Sequence, residues 1–192
     1  MLAGRECRKH YGLRLLREGW APTLLLSVGR FEIRRFANLE LPSPSFDLLA
    51  IASATPPEGR HYFVEIRSGV IEANRIERGR LGTMSEMSAL AAWLQAHPAV
   101  RSVMVVSSGF HLRRVRMCCG ERLPEGPRWT FVAVPEETEY LRERWWRDLA
   151  ARKLLFSEVL KIAIYRLLGN RLMGRGPATG PPVFNEPKAE GT

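Results

Sequence analysis

No stretch of this 192-residue chain is apolar for long enough to span a bilayer, which takes about 20 residues. The best candidate, LLFSEVLKIAIYRLLG at 154–169, is interrupted by Glu158, Lys161 and Arg166. Cysteine is scarce. Cys7, Cys118 and Cys119 include a neighbouring pair but no CxxC spacing, which speaks against a disulfide framework or zinc site and for a reducing compartment. Negative charge is short as well: 20 acidic residues face 29 lysines and arginines, a net charge of +9. That balance suits an anionic small molecule, a membrane surface or nucleic acid. The arginines are spread over every segment without aromatic interleaving or a known motif, which speaks against nucleic acid. The sequence has no internal repeat, no evident nucleophile–base–acid triad and no cluster of metal-binding carboxylates. The opening MLAGRECRKHYG lacks a signal-peptide core. What remains, 45% hydrophobic and 26% charged, reads as one globular domain over 1–170 with a Gly/Pro-rich, disordered tail over 171–192. The expected location is cytoplasmic, with at most a peripheral contact at the plasma membrane.

The pattern predicts a helix over 4–18 with Cys7, Tyr11 and Leu15 on its stripe, closed by a left-handed Gly19 and followed by Pro22. TLLLS (23–27) is a short run, apolar on both faces, and reads as a buried strand. An irregular connection over 38–60 holds a short helix near 46–52, and HYFVEI (61–66) is a second strand. Residues 67–82 carry no clear pattern. Thr83-x-x-Glu86 fits a capping box opening a helix to Ala96, with Met87, Leu90, Ala91 and Leu94 as its core stripe. Strands follow at 102–107 and 129–134, flanking a helix near 110–119. A helical stretch over 136–168 then buries Phe156, Leu160, Ala163 and Leu167. Strands separated by helices predict an α/β protein, a three-layer Rossmann-like fold with a mostly parallel sheet whose first strand is missing.

In such a sheet the strand exits share one edge, where ligands bind. Ser27 and Gly29 end one strand with Glu32 beyond, and Ser107 and Ser108 end another, followed by His111. Thr83 stands at a helix N-terminus, which favours an anion. His111 and Arg114 share a face that the apolar stripe Leu112, Val115, Cys119 leaves free. A histidine titrates near neutral pH and an arginine fork holds carboxylate or phosphate, so the pair is the candidate catalytic or binding centre. With Arg114 lining a pocket on that face, Arg114→Ala would leave stability nearly unchanged while weakening an anionic ligand. Plainer roles exist for each: a lone helix-start histidine commonly caps or packs, and Thr83 and Glu86 are explained by capping. Arg113 and Arg116 read as a solvated face, Trp145-Trp146 as core or interface, and Glu158 with Lys161 as a surface ion pair. The face carrying Arg152, Lys153, Lys161 and Arg166 could instead rest on anionic lipid.

Four segments together resemble the YdcF/SanA/ElyC-like family, a bacterial cell-envelope domain of unknown function. They are LLREGWAPTLLLSVGRFE (15–32), GTMSEMSALAAWL (82–94), VMVVSSGFHLRRVRM (103–117) and FSEVLKIAIY (156–165), in the family's order. The specific parts are Ser-Ser-x-x-His-x-x-Arg and the closing Glu-x-x-Lys. The resemblance implies a Rossmann-like α/β/α fold and a pocket at the strand exits lined by Ser27, Gly29, Thr83, Glu86, Ser107, His111, Arg114, Glu158 and Lys161. It also implies a link to envelope and peptidoglycan biogenesis, with S-adenosylmethionine as a candidate cofactor. Two features depart from it. Relatives begin with an apolar strand and a Gly-rich loop that have no counterpart here, so a longer reading frame is expected, and Gly82 replaces a common asparagine. The function expected is binding of an anionic small molecule; the alternative is an enzyme acting on a phosphate-bearing envelope precursor with His111 as acid or base.

Overall fold

A computed structural model describes residues 6–43, 45–76, 82–123, 126–135 and 145–172. Residues 171 and 172, expected to open the disordered tail, are helical; the rest of the tail and the 136–144 part of the expected helix lie outside these residues. Helix α1 (Glu6–Arg17) ends as the sequence implies. Gly19 adopts φ +78°, and the N–H groups of Gly19 and Trp20 reach back to the carbonyls of Leu16 and Leu15, a Schellman closure. Its buried face is not the expected stripe, however: Arg8, Lys9, Gly12 and Leu13 turn inward, while Cys7, Tyr11 and Leu15 are half-buried.

Strands β1 (Thr23–Gly29), β2 (His61–Arg67) and β3 (Val70–Arg75) form one sheet in that order, and every pairing is antiparallel. This corrects the expected mostly parallel sheet. The cause is local at one end: Ser68 and Gly69 both have positive φ, the geometry of a two-residue hairpin, so β3 must fold straight back on β2. At the other end, the short helices α2 (Ile33–Phe36) and α3 (Leu48–Ser53) give the chain too little regular length to recross the sheet, and it returns in the opposite sense. Strands β4 (Ser102–Ser107) and β5 (Arg128–Ala133) pair in parallel, joined by α5 (Gly109–Arg122). The protein is thus a mixed α/β fold with a small parallel sheet beside an antiparallel one.

Side-chain alternation splits the core in two. Leu26, Val28, Tyr62, Val64 and Ile66 point to one face of the antiparallel sheet, onto Leu13, Ile33, Phe36 and Leu48. Leu25 and Phe63 point to the other, onto α4 (Gly82–Ala96), whose Met84, Met87, Leu90 and Leu94 also meet Val105 of β4 and Val115 of α5. The expected stripe of α4 is therefore its buried face. Leu94→Ala is expected to cost about 2–5 kcal/mol, read as a lower midpoint in a denaturant melt.

A last helix, α6 (Leu149–Leu172), follows a 3-10 turn at Trp145–Arg147. Here the expected stripe is overturned. Phe156, Leu160 and Leu167 are 72%, 51% and 73% exposed and Ala163 is exposed, while Ala151, Glu158 and Tyr165 face inward. Trp145 and Trp146, expected in core or interface, are exposed. The inward face is taken by polar groups with partners to meet.

Candidate functional site

The strand exits do come together, although the sheet is not parallel throughout. Neighbouring residues of α1 show it: Arg8 donates to Ser108 Oγ at the exit of β4, and Lys9 Nζ donates to Glu32 Oε2, 2.9 Å, at the exit of β1. Glu32 also accepts from the Gly29 N–H at 3.3 Å, which closes the turn that leaves the strand. Helix α4 brings in two further groups one turn apart. Glu86 accepts from Ser27 Oγ at 2.6 Å, with His61 Nε2 3.1 Å from the same hydroxyl. Thr83 accepts from Arg114 of α5. The capping-box expectation is corrected accordingly: the helix starts at Gly82, the Thr83 side chain is spent on α5 and that of Glu86 on β1.

The densest cluster lies between α4, α5 and α6. Glu158 accepts from Arg114 through Nε (3.0 Å) and Nη2 (3.3 Å) and from Lys161 at 2.9 Å, and its Oε2 lies 3.1 Å from His111 Nδ1. The Arg114 guanidinium lies 5.2 Å from the Tyr165 ring, and the Tyr165 hydroxyl accepts from the Thr83 N–H at 3.2 Å. An acceptor from α6 thus meets the first turn of α4, where backbone N–H groups lack helical partners. His111 and Arg114 are each 7% exposed and Glu158 5%. They belong to the inward arc His111, Arg114, Val115, Cys118 of α5, so the expected free face is in fact the buried one. Leu112 is half-buried; Arg113 and Arg116 are exposed as expected. Nor is Glu158–Lys161 a surface pair, because its carboxylate is enclosed.

Burial disfavours the charged imidazole, and the Arg114 and Arg8 charges add to this; together they outweigh Glu158 and hold the His111 pKa below its ordinary 6.5. Burial alone would raise Glu158. The hydrogen bonds from His111, Arg114 and Lys161 overcome it and keep the carboxyl well below its usual range. Nδ1 of His111 lies 2.6 Å from Arg114 Nη2 as well as near Glu158, and a neutral ring can accept from the first or donate to the second, not both. Ser27, His61 and Glu86 do not form a hydrolytic triad, since Ser27 and Glu86 both approach the Nε2 side of the ring. The Cys119 thiol is pushed up to about 12 by burial, too high for a nucleophile.

Ser107 is fully buried, and its hydroxyl has no hydrogen-bond partner. It is the one expected site residue that the structure leaves outside these side-chain links. Arg8, Lys9 and His61 are the residues that sequence reasoning missed. Two adjacent cations in a helix read as solvated, and His61 opens an apolar strand with no motif around it. A groove of about 590 Å³ lies elsewhere, lined by Phe36, Leu39, Phe46 and Leu48 on the opposite side of the antiparallel sheet.

Of the carboxylates that the sulfonium and ammonium of an S-adenosylmethionine cofactor would face, Glu32, Glu86 and Glu158 already accept from Lys9, from Ser27, and from Arg114 with Lys161, respectively. Comparison of the chain with protein-family models, curated proteins and solved structures returns no match.

Proposed function

We propose that this chain is a domain that binds an anionic small molecule, bearing phosphate or carboxylate, where β1 and β4 meet the first turns of α4 and α5. The observation that carries it is the convergence of Arg8, Lys9, Arg114 and Lys161 from three helices on that edge, against Glu32, Glu86 and Glu158. Arg8 is the key group. It is a buried guanidinium that donates to Ser108 at the N-cap of α5, where the helix dipole is also positive, so both favour an anion at this edge. The neutral His111 suits a donor or acceptor to such a ligand rather than a third cation. The four quoted segments support a place in the YdcF-like family and, with it, a role in bacterial envelope biogenesis on the cytoplasmic side. The parallel β4–β5 pair crossed by α5 supports the Rossmann-like reading; the antiparallel sheet is a departure from it.

Orthophosphate and a phosphate monoester are expected to raise the melting temperature with concentration, while a neutral analogue leaves it unchanged. Arg8→Gln is expected to weaken that binding by about 1.5–3 kcal/mol in calorimetric titration, the worth of a charge-assisted hydrogen bond. Absence of any phosphate- or carboxylate-dependent shift, or equal affinity in Arg8→Gln, would remove the proposal.

A further inference from the structure

Helix α6 is built the wrong way round for a helix facing water. A surface helix normally turns its apolar stripe to the core and its charges outward. Here Glu158 and Tyr165 face inward to hold Arg114 and the start of α4, and the stripe opposite them is left outside. Leu149, Phe156, Leu160, Ala163 and Leu167 recur at spacings of seven, four, three and four, which places them on one line of the helix. Ala151, Glu158 and Tyr165 lie about 180° away from that line. Val159, 64% exposed, widens the stripe on one side. Contiguous apolar surface of this kind marks an interaction face.

The charges beside the stripe say what it meets. Lys153 lies along one flank and Arg152 and Arg166 along the other, all exposed, while Lys161 turns back to Glu158. Over 149–167 the helix has one carboxylate, Glu158, and it is buried. Exposed Trp145 and Trp146 stand just ahead of the first turn, as aromatic residues do at a membrane–water interface. A second copy of the chain is a poor occupant, because a two-fold contact sets the same face against itself and brings these cations together. We infer that the outward face of α6 docks flat on an anionic phospholipid surface, its apolar ridge among the acyl chains and Arg152, Lys153 and Arg166 at the headgroup phosphates. No helix among the described residues is long and apolar enough to cross a membrane, so the contact is peripheral.

The test is flotation of the full chain with vesicles of phosphatidylcholine, alone or mixed with phosphatidylglycerol. The chain is expected to float with the mixed vesicles at low salt, to be released at high salt, and to show a blue-shifted tryptophan emission when bound. Phe156→Glu is expected to abolish flotation while melting as the parent does, since that side chain is largely in water. Replacing Arg152 and Lys153 by glutamine is expected to weaken binding roughly five-fold each, about 25-fold together. Equal binding to neutral vesicles would overturn the inference. So would no lipid-bound fraction at low salt, whether the stripe is then covered by another part of the chain or by a second copy that Phe156→Glu releases in sedimentation.

Discussion

Glu158→Ala is expected to destabilise the protein by about 3–5 kcal/mol at neutral pH. Removing one partner of a buried ion pair leaves the other charge enclosed and unpaired, and here Arg114 would be the stranded group. Arg114→Ala is expected to cost a similar amount, because it strands Glu158 and removes the donor to Thr83. This replaces the expectation of near-unchanged stability, which placed Arg114 at a pocket rather than in an enclosed ion pair. The pH dependence follows from both shifts. Glu158 has a folded pKa below its ordinary 4.5, so its contribution is complete above that pH and is lost as pH falls below it. His111 has a folded pKa below 6.5, so the unfolded chain takes up the proton first and stability also falls as pH drops below 6.5. Denaturant melts from pH 7.5 to 3.5 should show two successive declines in the parent, and a flatter second one in Glu158→Ala.

Trp93→Ala is expected to cost about 3–5 kcal/mol, through loss of a large buried ring. The ring stacks on His97 with centroids 4.1 Å apart and belongs to the core that α4 shares with β4 and α5. Its Nε1–H donates to Glu65 Oε2 at 2.8 Å, so it also satisfies a buried carboxylate on β2. Trp93→Phe separates the two effects: most of the ring stays, and the expected loss falls to about 1.5–3 kcal/mol for the charged hydrogen bond. Urea midpoints of both variants check this. A loss below about 1 kcal/mol in Trp93→Ala would mean that α4 does not lie on β2 as described. That contact matters for the site, because the same helix carries Glu86 to Ser27 and Thr83 to Arg114.

Much of the candidate site was legible before any coordinates. Thr83, His111, Arg114, Glu158 and Lys161 were each singled out by motif, and they meet in one cluster. Their enclosure was not legible. His111 and Arg114 look polar in a pattern that assigns polar residues to water, and Glu158, 44 residues beyond Arg114, together with Thr83 makes their burial tolerable. Arg8 and Lys9 were invisible for the same reason. The hairpin at Ser68-Gly69 was missed because the charged segment 67–82 showed no clear pattern, and β3 lies within it.

What the sequence determined by itself is everything set by near neighbours: the Schellman end of α1 at Gly19, the short apolar strands, and the inward stripe of α4. Propensity, capping and periodicity act within a few residues, and there they agreed with the fold. Tertiary structure alone decided the direction of β2 against β1 and which side of α6 faces in. In α6 the apolar stripe and the Glu158–Tyr165 line compete for one interior. Periodicity favours the stripe, because it counts burial and cannot count partners. A carboxylate that receives hydrogen bonds from Arg114 and Lys161, with His111 beside it, outweighs that stripe, and those partners come from sites distant in the chain.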